Sequence, residues 1–216
     1  SDTIDAQAFN GSITMSESAS STTGDGNIRY TAEVDVTVGL LDAGTADVSI
    51  NANTGSILDA QDDTIGVDGD GFATNTGRTV NVIASDLRMT AGADIGEPVN
   101  GVAANPLDTS VDVLAADAGG SVYVYESDGL EIGTVGRVPV ERVALESSTS
   151  TVEDDADLSG VTAGDNAKVE TIAGTMTVTD PVTAEDGDVL LAANGTDSDL
   201  NINAEVNAGD NVSLLA

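Results

Sequence analysis

Short runs in which apolar and polar residues alternate recur along the whole chain. They include "SITMSE" (12–17), "VDVTVGL" (34–40), "DVSIN" (47–51), "TVNVIA" (79–84), "SVYVYE" (121–126), "TMTVTD" (175–180), "LNINAEV" (200–206) and "NVSLLA" (211–216). A period of two with β-branched residues on one side predicts strands. Gly, Asn and Asp lie between the runs, and these residues accept turns and left-handed backbone. Helical spacing is scarce, so the expected fold class is all-β.

The order of the runs predicts more than their type, because they repeat. Setting "TMTVTDPVTAEDGDVLL" (175–191) against "DLNINAEVNAGDNVSLL" (199–215) aligns Met176 with Leu200, Val178 with Ile202, Val182 with Val206 and Ala184 with Ala208. After one gap Val189 meets Val212 and Leu191 meets Leu214. The offsets of 24 and then 23 residues describe a unit of three short strands; a looser copy, Ile28 to Val48, is 20 residues long. Such a unit is too small to bury its own apolar side. Stacking the units solves this, with each strand paired to its equivalent in the next coil. The expected architecture is a parallel β-solenoid running through residues 1–216 as one segment. It would have nine or ten coils of 20–24 residues, and at about 4.8 Å per coil a length on the order of 45 Å.

A longer period overlies the short one. "GSITMSE" (11–17) matches "GTMTVTD" (174–180), Ile28 and Tyr30 match Val189 and Leu191, and Val48 matches Val212. Residues 11–52 thus recur as 174–216, giving about one and a third copies of a unit near 164 residues long. The chain reads as a window of a longer tandem array, or as a subunit that polymerises end to end. The acidic stretch 146–168 does not follow the period and reads as an insertion thrown out from one coil.

Composition changes the picture in two ways. The apolar residues are mostly Val, Ala, Leu and Ile, with no Trp, two Phe and three Tyr, so the core must form in thin layers. Cys and His are absent, which removes disulfides, thiolate metal sites and histidine catalysis. The net charge of −32 comes from six basic against thirty-eight acidic residues. Such a surface repels nucleic acid and anionic membranes, and favours solubility, salt and divalent cations. No apolar run approaches the roughly 18 residues of a membrane helix. With no signal peptide and no initiator Met, the sequence reads as a processed or excised piece.

The phrases "GDVLLAANGTDSDLNINAEVNAGDNVSLLA" (187–216), "TGSILDA" (54–60) and "DIGEPVNGVAANPLDTSVDVLAADAGGSVYVYESDGLEIGTV" (94–135) resemble the filamentous haemagglutinin family of very large secreted bacterial surface proteins. The resemblance implies a right-handed parallel β-helix, a location outside the cell or on its surface, and a role as a fibre or adhesin. The two-partner secretion domain of that family has no counterpart in these residues.

Four groups of residues are candidates for chemistry. In "DAQDDTIGVDGDGF" (59–72), Asp62, Asp63, Asp68 and Asp70 are positioned as oxygen ligands for Ca²⁺, with glycines allowing a tight loop. EF-hand spacing is not met, and a solvated loop is the alternative. The acidic run "STVEDDADLSG" (150–160) offers a contact surface or a weak cation site, with a solvated loop again the plainer reading. Tyr123, Tyr125, Arg137 and Arg142 form a candidate lateral contact, where arginine could neutralise nearby acids or dock an acidic partner; decoration of a strand edge is the plainer reading. Asn10, Asn194 and Asn211 stand in glycosylation sequons, although Asn-Gly is equally a turn signal.

An enzyme is not expected. Sugar-cleaving β-helices set carboxylates beside basic residues and grip substrate on aromatic platforms, and the chain offers neither arrangement. Ice binding needs an unbroken Thr-x-Thr ladder, and Thr175, Thr177 and Thr179 give way one coil later to Asp199, Asn201 and Asn203. The expected function is a rigid stalk or fibre segment. Its expected partners are further copies end to end, with neighbouring fibres bridged by divalent cations. The alternative is an adhesive module for a carbohydrate or protein.

Overall fold

A computed structural model describes residues 2–61, 66–67, 73–74, 78–97, 105–152 and 156–216. Among them every regular element is a β-strand. The largest sheet has seventeen strands and no barrel closes. All pairings within it are parallel; antiparallel strand pairing is confined to three two-stranded ribbons. The six residue pairs aligned from sequence in the last two units are all direct neighbours: Met176–Leu200 and Val178–Ile202, Val182–Val206 and Ala184–Ala208, Val189–Val212 and Leu191–Leu214.

One column of partners runs through the whole molecule, and every rung is alanine. Ala8 pairs with Ala32, and the column continues through Ala52, Ala91, Ala118, Ala163 and Ala184 to Ala208. The small side chain suits the position, which immediately precedes a tight corner. At that corner a Cβ on Gly119 would lie 2.4 Å from the Gly92 carbonyl oxygen, and one on Gly164 would lie 2.1 Å from that of Gly119. Only glycine lets these backbones approach so closely.

The ladder has eight rungs, fewer than the nine or ten coils expected, because its intervals are uneven. The interval is 24 residues from Ala8 to Ala32, 20 to Ala52, 39 to Ala91, 27 to Ala118, 45 to Ala163, 21 to Ala184 and 24 to Ala208. The short intervals match the sequence period; the longer ones do not, and in the longest a loop leaves the ladder after Ile132. That loop corrects the expected insertion at 146–168. Departure begins earlier, after Leu130–Ile132, and the ladder resumes at Val161–Ala163, so Lys168 belongs to a regular strand, Ala167–Thr171.

Both ends of the molecule repeat one order of strands, a five-residue strand and two of three residues. These are Ile28–Ala32, Val36–Val38 and Leu40–Asp42 at one end, and Val189–Ala193, Leu200–Ile202 and Val206–Ala208 at the other. The five-residue strands do not, however, form one column. Leu87 continues through Leu114 to Ile132, Val178 and Ile202, in the first short strands. Ala91 continues to Ala208, in the second. Conversely, the short-strand positions Ile57 and Val82 lead into Val122 and Glu126 of a later five-residue strand. The long strand Leu107–Ala118 spans this exchange.

Inward side chains from every level make one apolar cluster, with Ile28, Ile50, Leu87, Leu114, Ile132, Val169 and Leu191 fully or almost fully buried. At the last level the same inward positions are open: Val212 is 43% and Leu214 44% exposed.

Candidate interaction surface

Strand side chains alternate, so the residues between the inward positions face outward and are ordinarily wet. On the first stack of five-residue strands they are not. Asp5, Arg29, Ser49, Arg88 and Ala115 form one outward row, yet Arg29, Ser49, Arg88 and Ala115 are all buried. The cover is the loop that leaves the stack after Ile132. Its two ribbons, Thr134–Val135 with Leu158–Ser159 and Val140–Val143 with Thr149–Val152, form an arm. That arm turns back along the molecule to pack beside Val82–Ala91, Leu107–Ala118 and Ile4–Ala8.

Val135, Val138, Val140 and Val152 are buried on the arm and stand outside the main core cluster, forming a second, smaller apolar layer. Polar links fix its far end. Asn27 donates Nδ2–H to the Pro139 carbonyl at 2.9 Å, and the Glu141 N–H donates to Thr3 Oγ1 at 2.8 Å. Arg142 Nε donates to Asp5 Oδ2 at 2.6 Å, and Arg29 stands 3.9 Å from the other oxygen. The Asp5 side chain is only 5% exposed, and these two arginines offset the cost of burying it. Beyond the link, Val143 and Leu145 at the arm's tip are exposed.

The four residues expected to form a lateral contact are thereby separated. Arg142 is tied to Asp5, and Arg137 is exposed on the arm. Tyr123 and Tyr125 lie on the second stack of five-residue strands and are largely buried. The Arg78 guanidinium covers Tyr125, 4.7 Å from its ring centre, and pairs with Asp108. Lys168 lies 5.3 Å from the Tyr123 ring centre. Burial raises the Tyr123 phenol above its ordinary range.

Two buried polar groups hold the irregular joints. Asn81 donates to the Val38 and Gly39 carbonyls at 3.1 and 3.2 Å and to Asp59 Oδ1 at 2.5 Å, while its own oxygen accepts from the Asp108 N–H at 2.8 Å. Glu126 sits where the columns exchange and is fully buried. Burial pushes its carboxyl up to about 7, against the opposing pull of hydrogen bonds from Thr109 Oγ1 at 2.6 Å and the Ser127 and Asp128 N–H groups. Nothing in the period-two pattern marks either residue. Asn81 interrupts "TVNVIA" and Glu126 ends "SVYVYE", a weak signal in both cases.

On the second outward row of the first stack, Gln7, Thr31 and Asn51 line a shallow groove of about 190 Å³, with Phe9, Glu33 and Asn53 at the adjoining corner. Asn53 donates to Glu33 Oε2 at 3.0 Å, and Phe9 is 77% exposed. The candidate Ca²⁺ ligands Asp62, Asp63, Asp68 and Asp70 lie outside the described residues. Among the described residues no group of three or more acidic side chains could hold a metal ion. Asn10 is exposed in a turn. Asn194 donates to Glu170 Oε1 at 2.6 Å, and Asn211 to Asp188 Oδ1 at 2.9 Å. No helix of the described residues is long and apolar enough to cross a membrane.

No family model, no curated protein and no solved structure matches the chain.

Proposed function

We propose that the chain is a rigid stalk or fibre segment of a large extracellular repetitive protein, built as a right-handed parallel β-helix and continued by further copies end to end. The observation that carries this reading is the eight-rung alanine ladder, whose register survives intervals of 20 to 45 residues and an exchange of faces. Backbone hydrogen bonds then run along the long axis, where a pulling force loads many of them together. The acidic coat keeps neighbouring rods apart until salt or divalent cations screen it. The open inward positions Ile202, Val212 and Leu214 suit a further level laid on them.

Sedimentation across a wide concentration range tests the stacking. End-to-end growth that disappears with dilution supports it, and a strictly monomeric profile at high concentration contradicts it. A second reading, an adhesive module for a neutral glycan, rests on the Phe9 groove, where amides, a carboxylate and an exposed ring stand together with no basic residue among the lining side chains. Saturable binding on a glycan array, lost in Phe9→Ala, would favour that reading over the stalk.

A further inference from the structure

The groove beside Phe9 does not end at that corner. A second hollow of about 170 Å³, lined by Thr90, Gly92 and Asp117, shares Asn51, Ala52 and Asn53 with the first, and the two make one trough. Its floor is the alanine ladder. One wall is the outward row Gln7, Thr31, Asn51, Thr90 and Asp117, whose members pair level by level. The other wall is made by residues that follow the alanines, Glu33 and Asn53, and it ends at Gly92, which has no side chain. Four steps between five levels give the trough a length of about 19 Å along the molecule.

The chemistry of the walls narrows the occupant. Each level offers an amide, a hydroxyl or a carboxylate, so hydrogen-bond acceptors stand at every step and donors at most of them. Thr31 Oγ1 is shut away from water without a partner, although its residue is only half-buried. Rotation about its Cα–Cβ bond turns that hydroxyl into the trough, where a ligand hydroxyl satisfies it. No basic residue among those described lines the trough, and the carboxylates of Glu33 and Asp117 repel polyanions. A peptide that binds as an added strand needs a free backbone edge, and the middle strands of this floor are paired on both sides.

We infer that the trough takes an extended, uncharged, β-linked glycan lying along the axis, with successive sugar rings on successive levels. The inference rests on the glycan reading of the Phe9 groove and extends it from one corner to a lengthwise site, which a stalk can carry on its flank. The level spacing of about 4.8 Å is close to the advance of such a chain per ring. A ribbon-like chain therefore keeps pace with the row. A chain that coils, as α-linked glucose does, leaves it after a few rings.

The test is calorimetric titration of the whole chain with β-linked oligomers of glucose, mannose and N-acetylglucosamine, from two rings to six. Coiling α-linked glucose oligomers and hexuronate oligomers of the same lengths serve as controls. In at least one β-linked series the affinity should rise about tenfold from two rings to four and then level off, and both controls should bind at least tenfold more weakly. Thr90→Val keeps the branched shape and removes the hydroxyl, and should weaken the four-ring ligand about fivefold. Equal affinity for two rings and four overturns the lengthwise site and leaves the corner reading intact. So does a Thr90→Val variant that binds normally where Phe9→Ala abolishes binding. Controls that bind as tightly as the β-linked series, or displacement of the four-ring ligand by an uncharged Gly/Ser peptide, overturn the choice of ligand. Binding by none of the oligomers overturns the lengthwise site and the glycan reading together.

Discussion

The two stacks of five-residue strands share a backbone plan and each lays apolar side chains inward, yet their outer sides differ. On Ile4–Ala8, Ile28–Ala32, Val48–Ala52 and the end of Val82–Ala91, the outward row holds Asp5, Arg29, Ser49 and Arg88, all screened from water by the arm. On Ala167–Thr171, Val189–Ala193 and Val212–Leu215, the equivalent row holds Lys168, Leu190 and Ser213, with no arm among the described residues laid over it. The comparison separates two sources of stability. Inward ladders belong to every level, whereas burial of an outward residue depends on a segment distant in the chain.

The largest effect should come from breaking what the two regions share. Val182 is completely buried inside the stack, and Val182→Asp should cost about 4 kcal/mol or more. Its partner on the open last level, Val206, is only partly buried, and Val206→Asp should cost about half as much. Equal losses in thermal or urea unfolding would contradict the assignment of the two levels. The arm distinguishes the stacks next. Asp5→Ala leaves Arg29 and Arg142 without their carboxylate and should cost about 3 kcal/mol. At the equivalent position Lys168→Ala removes a contact with Tyr123 and should cost about 1 kcal/mol or less. A reversed order would mean that the arm does not bury Asp5.

Glu126, at the join between the two regions, predicts a pH dependence. Its carboxyl keeps its proton up to about 7 in the folded chain, against an ordinary value of 4.5. The folded state therefore binds the proton more tightly, and the resulting stabilisation is complete below about pH 4.5 and lost as pH rises towards 7. It is on the order of 3 kcal/mol. Glu126→Gln should flatten this part of the stability–pH curve, and an unchanged slope would place the proton elsewhere. The smallest effect is expected at the arm's tip. Leu145 is fully exposed, so Leu145→Asp should leave stability within about 0.5 kcal/mol.

The ladder is legible in the sequence because period-two alternation and a unit of 20–24 residues are local signals. By themselves they set the register of Val182 with Val206 and of Leu191 with Leu214. The count of levels is not legible in the same way, since the intervals from Ala52 to Ala91 and from Ala118 to Ala163 are 39 and 45 residues long for a single rung each. The arm escapes for a related reason. Val135, Val138 and Val140 look like another irregular strand until the fold sets the arm beside Ile4–Ala8, Val82–Ala91 and Leu107–Ala118, two of which are distant in sequence. Tyr123, Tyr125, Arg137 and Arg142 are neighbours along the chain but separate once Arg142 is carried back to Asp5. Paired acids and amides such as Asp59–Asn81 need three-dimensional proximity that no spacing rule encodes.

In a stalk, consecutive levels must lie one on another along a single axis, without a break where the faces exchange. Gln7 and Asn207 are the first and last members of one outward column that follows the alanine ladder. Spin labels at Gln7→Cys and Asn207→Cys in this cysteine-free chain measure that axis by pulsed electron resonance. Seven steps of about 4.8 Å predict one narrow distance near 34 Å, before allowance for the label arms. A distance under about 20 Å, as two sheets folded face to face would give with their ends brought together, would contradict it.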